Sequence, residues 1–279
     1  PKKLVDIIAA ISPTFGAINL EDIKAPECFY VEKKLQEQLD IPVFHDDQYG
    51  TAVVVSAAVL SGLNLAGKDL AEAKIVVSGA GAAGIACMDL LVELGAKLEN
   101  ITALDSRGVI FKGRLEGMNA EKRRYATDSK VRALDEALDG VDLFLGVSRG
   151  GILKAEMIRK MNEKPLILAL ANPTPEILPE EAYKARSDVM ICTGRSDYPN
   201  QVNNVLAFPF IFRGALDVRA KKINKPMVIA AVKALAELAQ SSKDYGPQHI
   251  LPSAFDERLL PKISKAVSQA AIDSGVAGQ

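Results

Sequence analysis

Tryptophan is absent from this chain of 279 residues, and aromatic side chains make up only 5% of it. That scarcity removes the stacking platform used by proteins that hold single-stranded nucleic acid. Neither sign of charge dominates: 34 Lys and Arg against 35 Asp and Glu give a formal net charge of -1. Nucleic acid and anionic membrane surfaces are therefore excluded as main partners. Three cysteines, Cys28, Cys87 and Cys192, are widely spaced and odd in number. They fit neither a disulfide framework nor a paired-cysteine metal site, and they point to a reducing, cytoplasmic setting. Each is expected to be a small buried hydrophobe. The longest apolar stretch, Thr51–Leu60, is too short and too rich in alanine to span a bilayer, and no signal peptide is visible. No internal repeat or low-complexity run occurs. The first residue is Pro1, not Met, and a helical pattern is already under way at Lys2, so a preceding segment is expected.

Hydrophobic residues make up 48% of the sequence, enough to bury a sizeable core in two modest domains or one large one. Lys2–Ile11, a segment from Pro26 to about Leu39, and Thr51–Leu65 with Gly67 as its stop read as helices. Short apolar runs at Ala17–Leu20 and Pro42–Phe44 read as strands. From Lys74 the pattern changes to alternating strand and helix. The runs are Ile75–Ser78, Ile101–Leu104, Val141–Leu145, Leu166–Leu170 and Val189–Cys192, with a helix over Ala82–Leu94 and further helical segments between several of them. That order predicts a parallel sheet covered on both faces. After Asn204 only helices are predicted, over Phe208–Arg219, Pro226–Gln240 and Glu257–Ile272, with a polar linker at Ser241–Pro252.

Gly79, Ala80, Gly81, Ala82, Ala83 and Gly84 form a G-x-G-x-x-G sequence between a predicted strand and a predicted helix. The first Gly permits the tight turn, the second lets backbone approach a pyrophosphate, and the third lets helix and strand pack closely. The helix N-terminus then offers N–H groups to the phosphates. Asp105 ends the next strand, 26 residues after Gly79, where an acidic residue accepts from ribose hydroxyls. Arg107 stands two residues on and suits a 2′-phosphate. The first cue favours NAD and the second NADP, and the choice stays open. The expected fold class is α/β: a Rossmann-like doubly wound parallel sheet over residues 46–203, with 1–45 and 204–279 as segments of a second α/β domain with C-terminal helices.

Two acidic pairs precede the fingerprint: Glu21-Asp22, and Asp46-Asp47 within His45–Gly50. Glu21, Asp22 and Asp47 are oxygen donors of the kind that Mg²⁺ or Mn²⁺ prefers, and strand ends are where α/β proteins gather ligands. His45 suits a supporting or packing role, and His249 a surface one. Two further loops follow later strands. One is Gly146–Gly151, which contains Ser148. The other is Ala171–Pro175, where Asn172 and its prolines make a rigid loop with an exposed amide. Asn203 and Asn204 precede an apolar helix, and N-capping explains one of them but not both.

Together these segments closely resemble malic enzymes of the bacterial type. The matching stretches are INLEDI (18–23), VFHDDQYGTA (43–52), SGAGAAG (78–84), ALANPTPE (169–176) and NQVNNV (200–205), and the likeness runs through nearly the whole chain. The resemblance implies oxidative decarboxylation of L-malate to pyruvate and CO₂ with reduction of NAD or NADP, dependence on Mg²⁺ or Mn²⁺, and a homodimer. It implies metal ligation by Glu21, Asp22 and Asp47, and support of the catalytic base by Asp46. Thr51, the Gly79–Gly84 loop, Asp105 and Ser148 would meet the dinucleotide, and Asn172 and Asn204 the nicotinamide end and the malate. The exposed apolar faces of Lys2–Ile11 and Phe208–Leu216 would suit the dimer. In the family the Lys base and Tyr acid come from a segment that would precede Pro1, and Lys24 carries no sign of replacing that base. Tyr49 departs from relatives that often have His there. Two other readings stand beside this one. An amino-acid dehydrogenase of the glutamate type would not need the acidic trio. A non-catalytic dinucleotide-binding module would suit the missing base and acid.

Overall fold

Amphipathic spacing makes α1 (Lys2–Ile11), and a short parallel pair follows: β1 (Ile18–Leu20) and β2 (Val43–His45), joined by α2 (Glu27–Gln38). Val5, Leu20, Val31, Leu35 and Val43 form their buried core, with Ile8, Ile18, Ile23 and Leu39 packed against it. These coordinates are a computed structural model describing residues 1–24 and 26–278. Ala25 and Gln279, inside the segments expected for the second domain, lie outside the described residues. After β2 the chain makes one wide π-helical turn, Asp46–Gly50, and runs straight into α3 (Thr51–Ala66). Gly67 stops α3 with φ +73°, the left-handed conformation that glycine adopts without penalty.

The alternating region follows as β3 (Ile75–Ser78), α4 (Ala82–Glu93), β4 (Ile101–Asp105), β5 (Gly108–Val109), α5 (Ala120–Arg124), α6 (Leu134–Ala137), β6 (Leu143–Gly146), α7 (Ala155–Arg159), β7 (Leu166–Ala169), α8 (Pro179–Ala185) and β8 (Met190–Thr193). The helical tail is α9 (Phe208–Asp217), α10 (Lys225–Gln240) and α11 (Leu259–Asp273). The six-stranded sheet has the order β5-β4-β3-β6-β7-β8, parallel except for β5. This is the Rossmann-like α/β architecture that the run of strands and helices predicts. β5 was not anticipated, because two residues pairing antiparallel at a sheet edge leave no periodic trace.

Register explains why the strands read as continuous apolar runs. Val76, Phe144, Ile167 and Ile191 stand side by side across four strands and belong to one buried cluster. Their neighbours Val77, Leu145, Leu168 and Cys192 point the other way and are equally buried. The chain order places a switch point between β3 and β6, because β4 leaves on one side of β3 and β6 returns on the other. In open α/β sheets that crevice, at the carboxyl ends of the strands, is where ligands bind.

Contacts divide the chain into two units: Pro1–Val54 with Asn203–Leu238 and Pro252–Gln279, and Val55–Val202 with Ala239–Leu251. The helical stretch Asp46–Ala66 is long and apolar enough to cross a membrane by composition alone. It exceeds the Thr51–Leu60 run because the π turn and the Ser/Gly/Asn-containing end extend it. Ala52 to Val55 and Ala57 to Val59 are fully buried within the protein, as in a core helix. The three cysteines are free and buried, as expected. Burial pushes the Cys87 thiol up to about 12 and raises that of Cys192, so neither offers a thiolate near neutral pH.

Candidate active site

The first group of residues belongs to the unit that holds β1 and β2. Their parallel register sets Leu20 opposite His45, so Glu21-Asp22 and Asp46-Asp47 leave adjacent strand ends. Asp22 takes φ +58°, a left-handed conformation that costs a non-glycine residue about 1–3 kcal/mol, although Asp tolerates it better than most. Its backbone N–H donates to Asp47 Oδ2 at 2.9 Å. His45 is buried, with Nδ1 3.7 Å from the same carboxylate oxygen, and neither ring nitrogen has a hydrogen-bond partner. Burial lowers its affinity for a proton, against the pull of Asp47 and Glu21. This suits a packing role.

Asp46 is buried against the backbone of Gly50, where a Cβ would lie 1.9 Å from its Oδ1. The Asn204 amide donates to its carbonyl oxygen at 3.3 Å and to its Oδ2 at 3.2 Å, while Asn204 Oδ1 accepts from the Thr51 hydroxyl at 3.1 Å. Burial pushes the Asp46 carboxyl up to about 6; the Asn204 amide opposes this, and the negative charges of Glu21 and Asp47 add to it. Asn203 caps the short helical turn that follows by accepting from Val205 N–H. The two asparagines thus divide into a cap and an anchor for Asp46, Asn204 being the one that capping could not explain.

The donor set of Glu21, Asp22 and Asp47 is all oxygen, and the His45 ring, whose charge burial opposes, is the only basic side chain within 4.0 Å of these carboxylates or Asp46 among the described residues. That chemistry fits a hard divalent cation. The side chains are not closed around a point, however. Among the described residues no three His, Cys, Asp or Glu side chains are gathered tightly enough to hold an ion. Glu21 and Asp22 are exposed, and Asp47 accepts from a backbone N–H. Lys24 is also exposed, 3.8 Å from Glu27.

The second group belongs to the unit built on the six-stranded sheet. Gly79 has φ +120°, and a Cβ there would meet the Val147 carbonyl oxygen at 2.5 Å; a Cβ on Gly84 would meet the Gly79 carbonyl oxygen at 1.8 Å. These two glycines are required by the turn and by packing. Gly81 is different. It is extended at φ -87°, and a Cβ there would meet nothing within 4 Å. It is the N-cap of α4, a position glycine suits, and it leaves open space beside the helix N-terminus among the described residues. Ala80 is buried at the turn, and Ala82 and Ala83 open α4.

Asp105 ends β4, as expected, but it is not free. Its Oδ2 accepts from Arg114 and from Lys122 (2.8 Å), and its Oδ1 accepts from Arg107 N–H at 2.9 Å. Burial opposes its ionisation, but Arg114 and Lys122 outweigh that and hold the carboxyl at about 2. Arg107 itself pairs with Glu116. Sequence reading missed Arg114 and Lys122, since their spacing from Asp105 carries no motif. Ser148 lies in the loop after β6, with its hydroxyl 3.1 Å from that of Ser78. Asn172 is exposed in the loop after β7. Both loops are tied to the buried Glu176, also missed; its only sequence signal was a carboxylate closing a proline-rich loop.

A family profile described as "Malic enzyme, NAD binding domain" matches residues 48–274. The NAD-dependent malic enzyme of Rhizobium meliloti (strain 1021) is 58% identical over 288 residues, covering 99% of this chain and 37% of its own. The NADP-dependent malic enzyme of Salmonella typhimurium (strain LT2) is 57% identical over 291 residues, covering 99% and 38%. This chain therefore spans well under half the length of these relatives. Among solved structures, a malic enzyme from Pyrococcus horikoshii Ot3 superposes with a TM-score of 0.92 at 43% identity, covering 99% of this chain and 66% of that one. One from Entamoeba histolytica gives 0.93 at 42%, covering 99% and 58%. By profile, identity and fold alike, the chain belongs to the malic enzyme family.

Proposed function

We propose that the chain carries the dinucleotide-binding and metal-binding parts of an enzyme that oxidatively decarboxylates L-malate to pyruvate and CO₂ while reducing NAD or NADP. The observation that carries this reading is the open space at Gly81, the N-cap of α4, at the switch point of a sheet whose family relatives are named for NAD or NADP. Gly79–Gly84 and the α4 N-terminus would hold the pyrophosphate, Asp105 would stand by the ribose, and Ser148 and Asn172 would meet the nicotinamide half. Arg114 and Lys122 are taken up by Asp105, so the choice between NAD and NADP stays open.

Glu21, Asp22 and Asp47 would hold Mg²⁺ or Mn²⁺. Such an ion would supply Lewis acidity to the C2 oxygen, and the dinucleotide would supply the hydride acceptor. Asn204 holds Asp46 in place, and Asp46 would in turn support a base that takes the C2 hydroxyl proton. Thr51, bonded to Asn204, orients that amide toward its partners. Exposed Leu4, Ile7 and Ile11 of α1 and Leu216 of α9 would cover one another in a homodimer, which light scattering of the purified chain checks.

The test uses the full-length protein that contains these residues, in buffer with malate, Mn²⁺ and either NAD or NADP, followed by dinucleotide absorbance and malate consumption; the 279 residues alone are expected to bind dinucleotide but to turn over malate poorly. Turnover abolished by chelation and restored by Mn²⁺ is the expected outcome, and the relative rates with NAD and NADP decide between the two dinucleotides. Malate-independent reduction with an amino acid, insensitive to chelation, would support the amino-acid dehydrogenase reading instead. Tight dinucleotide binding with no turnover under any of these conditions would support a non-catalytic module.

A further inference from the structure

The loops after β6 and β7 are held by one side chain that belongs to neither strand. Glu176 is fully buried. Its Oε1 accepts the Ser148 N–H at 3.0 Å and the Ser148 hydroxyl at 3.4 Å, and its Oε2 accepts the Ala171 N–H at 3.0 Å. Main-chain bonds run alongside, from Gly151 N–H to the Pro175 oxygen and from Leu153 N–H to the Glu176 oxygen, both at 3.0 Å. Glycines make the approach possible. A Cβ on Gly146 would lie 2.4 Å from the Glu176 carboxyl carbon, and one on Gly150 would lie 2.6 Å from the Thr174 carbonyl oxygen. The Ser148 hydroxyl then reaches that of Ser78, the residue before the glycine fingerprint, and Val147 N–H donates to the Ser78 carbonyl at 2.9 Å.

A carboxylate is a costly way merely to fill this space. Burying it opposes ionisation, and the N–H groups of Ser148 and Ala171 only partly offset that. What a carboxylate offers is two acceptor oxygens in one rigid plane with no donor hydrogen. Each oxygen takes a backbone N–H from a different loop, and one of those N–H groups immediately precedes Asn172.

We propose that Glu176 is a positioning residue: it clamps the Ser148 and Asn172 loops into a single preformed rim beside the Gly79–Gly84 fingerprint, built for the nicotinamide half of the dinucleotide. This assignment rests on the dinucleotide reading above. It predicts that disturbing the clamp affects one half of the ligand and spares the other.

Glu176→Gln keeps the volume but turns one acceptor into a donor facing an N–H. The experiment titrates reduced dinucleotide, and separately ADP as the adenosine half, into the full chain and each variant, with thermal melting alongside. In Glu176→Gln the dinucleotide Kd is expected to rise about tenfold while the ADP Kd stays within about twofold, because one loop N–H is left unpaired and only the rim is displaced. Gly146→Ala pushes on the same carboxyl from β6 and should reproduce the split, so the test survives if the first variant folds poorly. Equal weakening of both ligands, or a lowered melting temperature with both affinities intact, would show a merely structural role and overturn the assignment. Failure of the unaltered chain to bind dinucleotide would overturn the functional reading instead, and with it the clamp's purpose; that outcome needs no substitution to be seen.

Discussion

At the scale of single residues, the three fingerprint glycines separate by physical cause. Gly84 is pressed against the Gly79 carbonyl, so Gly84→Ala should destabilise the fold by about 1–3 kcal/mol through overpacking. Gly81 has open space and an ordinary φ but is the N-cap of α4, where alanine is a poorer cap than glycine, so the cap loss and the gain from a less flexible unfolded chain oppose each other and Gly81→Ala should change stability by no more than about 1 kcal/mol. The same methyl group would stand where a pyrophosphate approaches, so dinucleotide affinity should fall at least about tenfold. Melting curves and dinucleotide titration on the two variants check both halves. A Gly81→Ala protein that binds as well as the parent would remove the phosphate cradle from this loop. The motif alone names three glycines but cannot say which is internal and which faces a ligand. That distinction depends on Val147, 68 residues away from Gly79 in sequence (147 minus 79), and no local spacing encodes it.

Among the elements, α2 holds a feature that its sequence pattern half reveals. Its buried stripe is Cys28, Val31, Glu32 and Leu35, a helical spacing with a carboxylate inside it. Glu32 accepts from the Gln36 amide at 3.2 Å and the Gln48 amide at 3.4 Å. Burial pushes its carboxyl up to about 7, with the Gln48 amide acting in the other direction. Its folded-state affinity for a proton is therefore raised above the unfolded one. Between about pH 4.5 and 7 the folded state binds more protons, so stability is greatest at the acid end and falls as pH rises. Glu32→Gln removes the titration; its oxygen can keep the Gln36 amide bond, and the Gln48 amide can rotate to present an oxygen to its new N–H group. The variant's advantage over the parent should grow by about 2 kcal/mol between pH 5 and pH 8, read from urea midpoints. Parallel curves would mean that the carboxyl is solvated. The strong elements were legible for good reason: β3, β6, β7 and β8 are buried on both faces and so run apolar without a break, and Gly67 stops α3. β5 and the Asp46–Gly50 π turn were not, because the first has two residues and the second differs from ordinary helix only in ring size. The clamp at Glu176 depends on contacts 28 residues apart, between Glu176 and Ser148, which only the folded sheet brings together.

For the molecule as a whole, the two proposed ligands fall on different parts of the chain. The fingerprint, Asp105, Ser148, Asn172 and Glu176 all lie within Val55–Val202, whereas Glu21, Asp22, Asp46, Asp47 and Asn204 lie within Pro1–Val54 and Asn203–Leu238. Each ligand can stabilise only the structure that it binds, by about 2.7 kcal/mol when present at a hundred times its Kd. Hydrogen exchange of the full chain should therefore show two distinct footprints. Reduced dinucleotide is expected to slow exchange at Gly79–Gly84, Ser148 and Ala171. Mn²⁺ is expected to slow it at Leu20–Asp22 and Asp46–Gly50, where the cation would draw together carboxylates that now stand apart. The Asp22 amide is the most informative single probe, since its N–H is already bonded to Asp47 and its left-handed backbone conformation is the strained point of the cluster. Slower exchange there on adding Mn²⁺, reversed by chelation, would place the ion at the β1–β2 strand ends. A dinucleotide footprint on the sheet with no Mn²⁺ footprint on residues 20–50 would instead separate the family's fold from its metal chemistry in this chain, because the dinucleotide cradle depends on backbone and glycines while the cation depends on three carboxylate side chains.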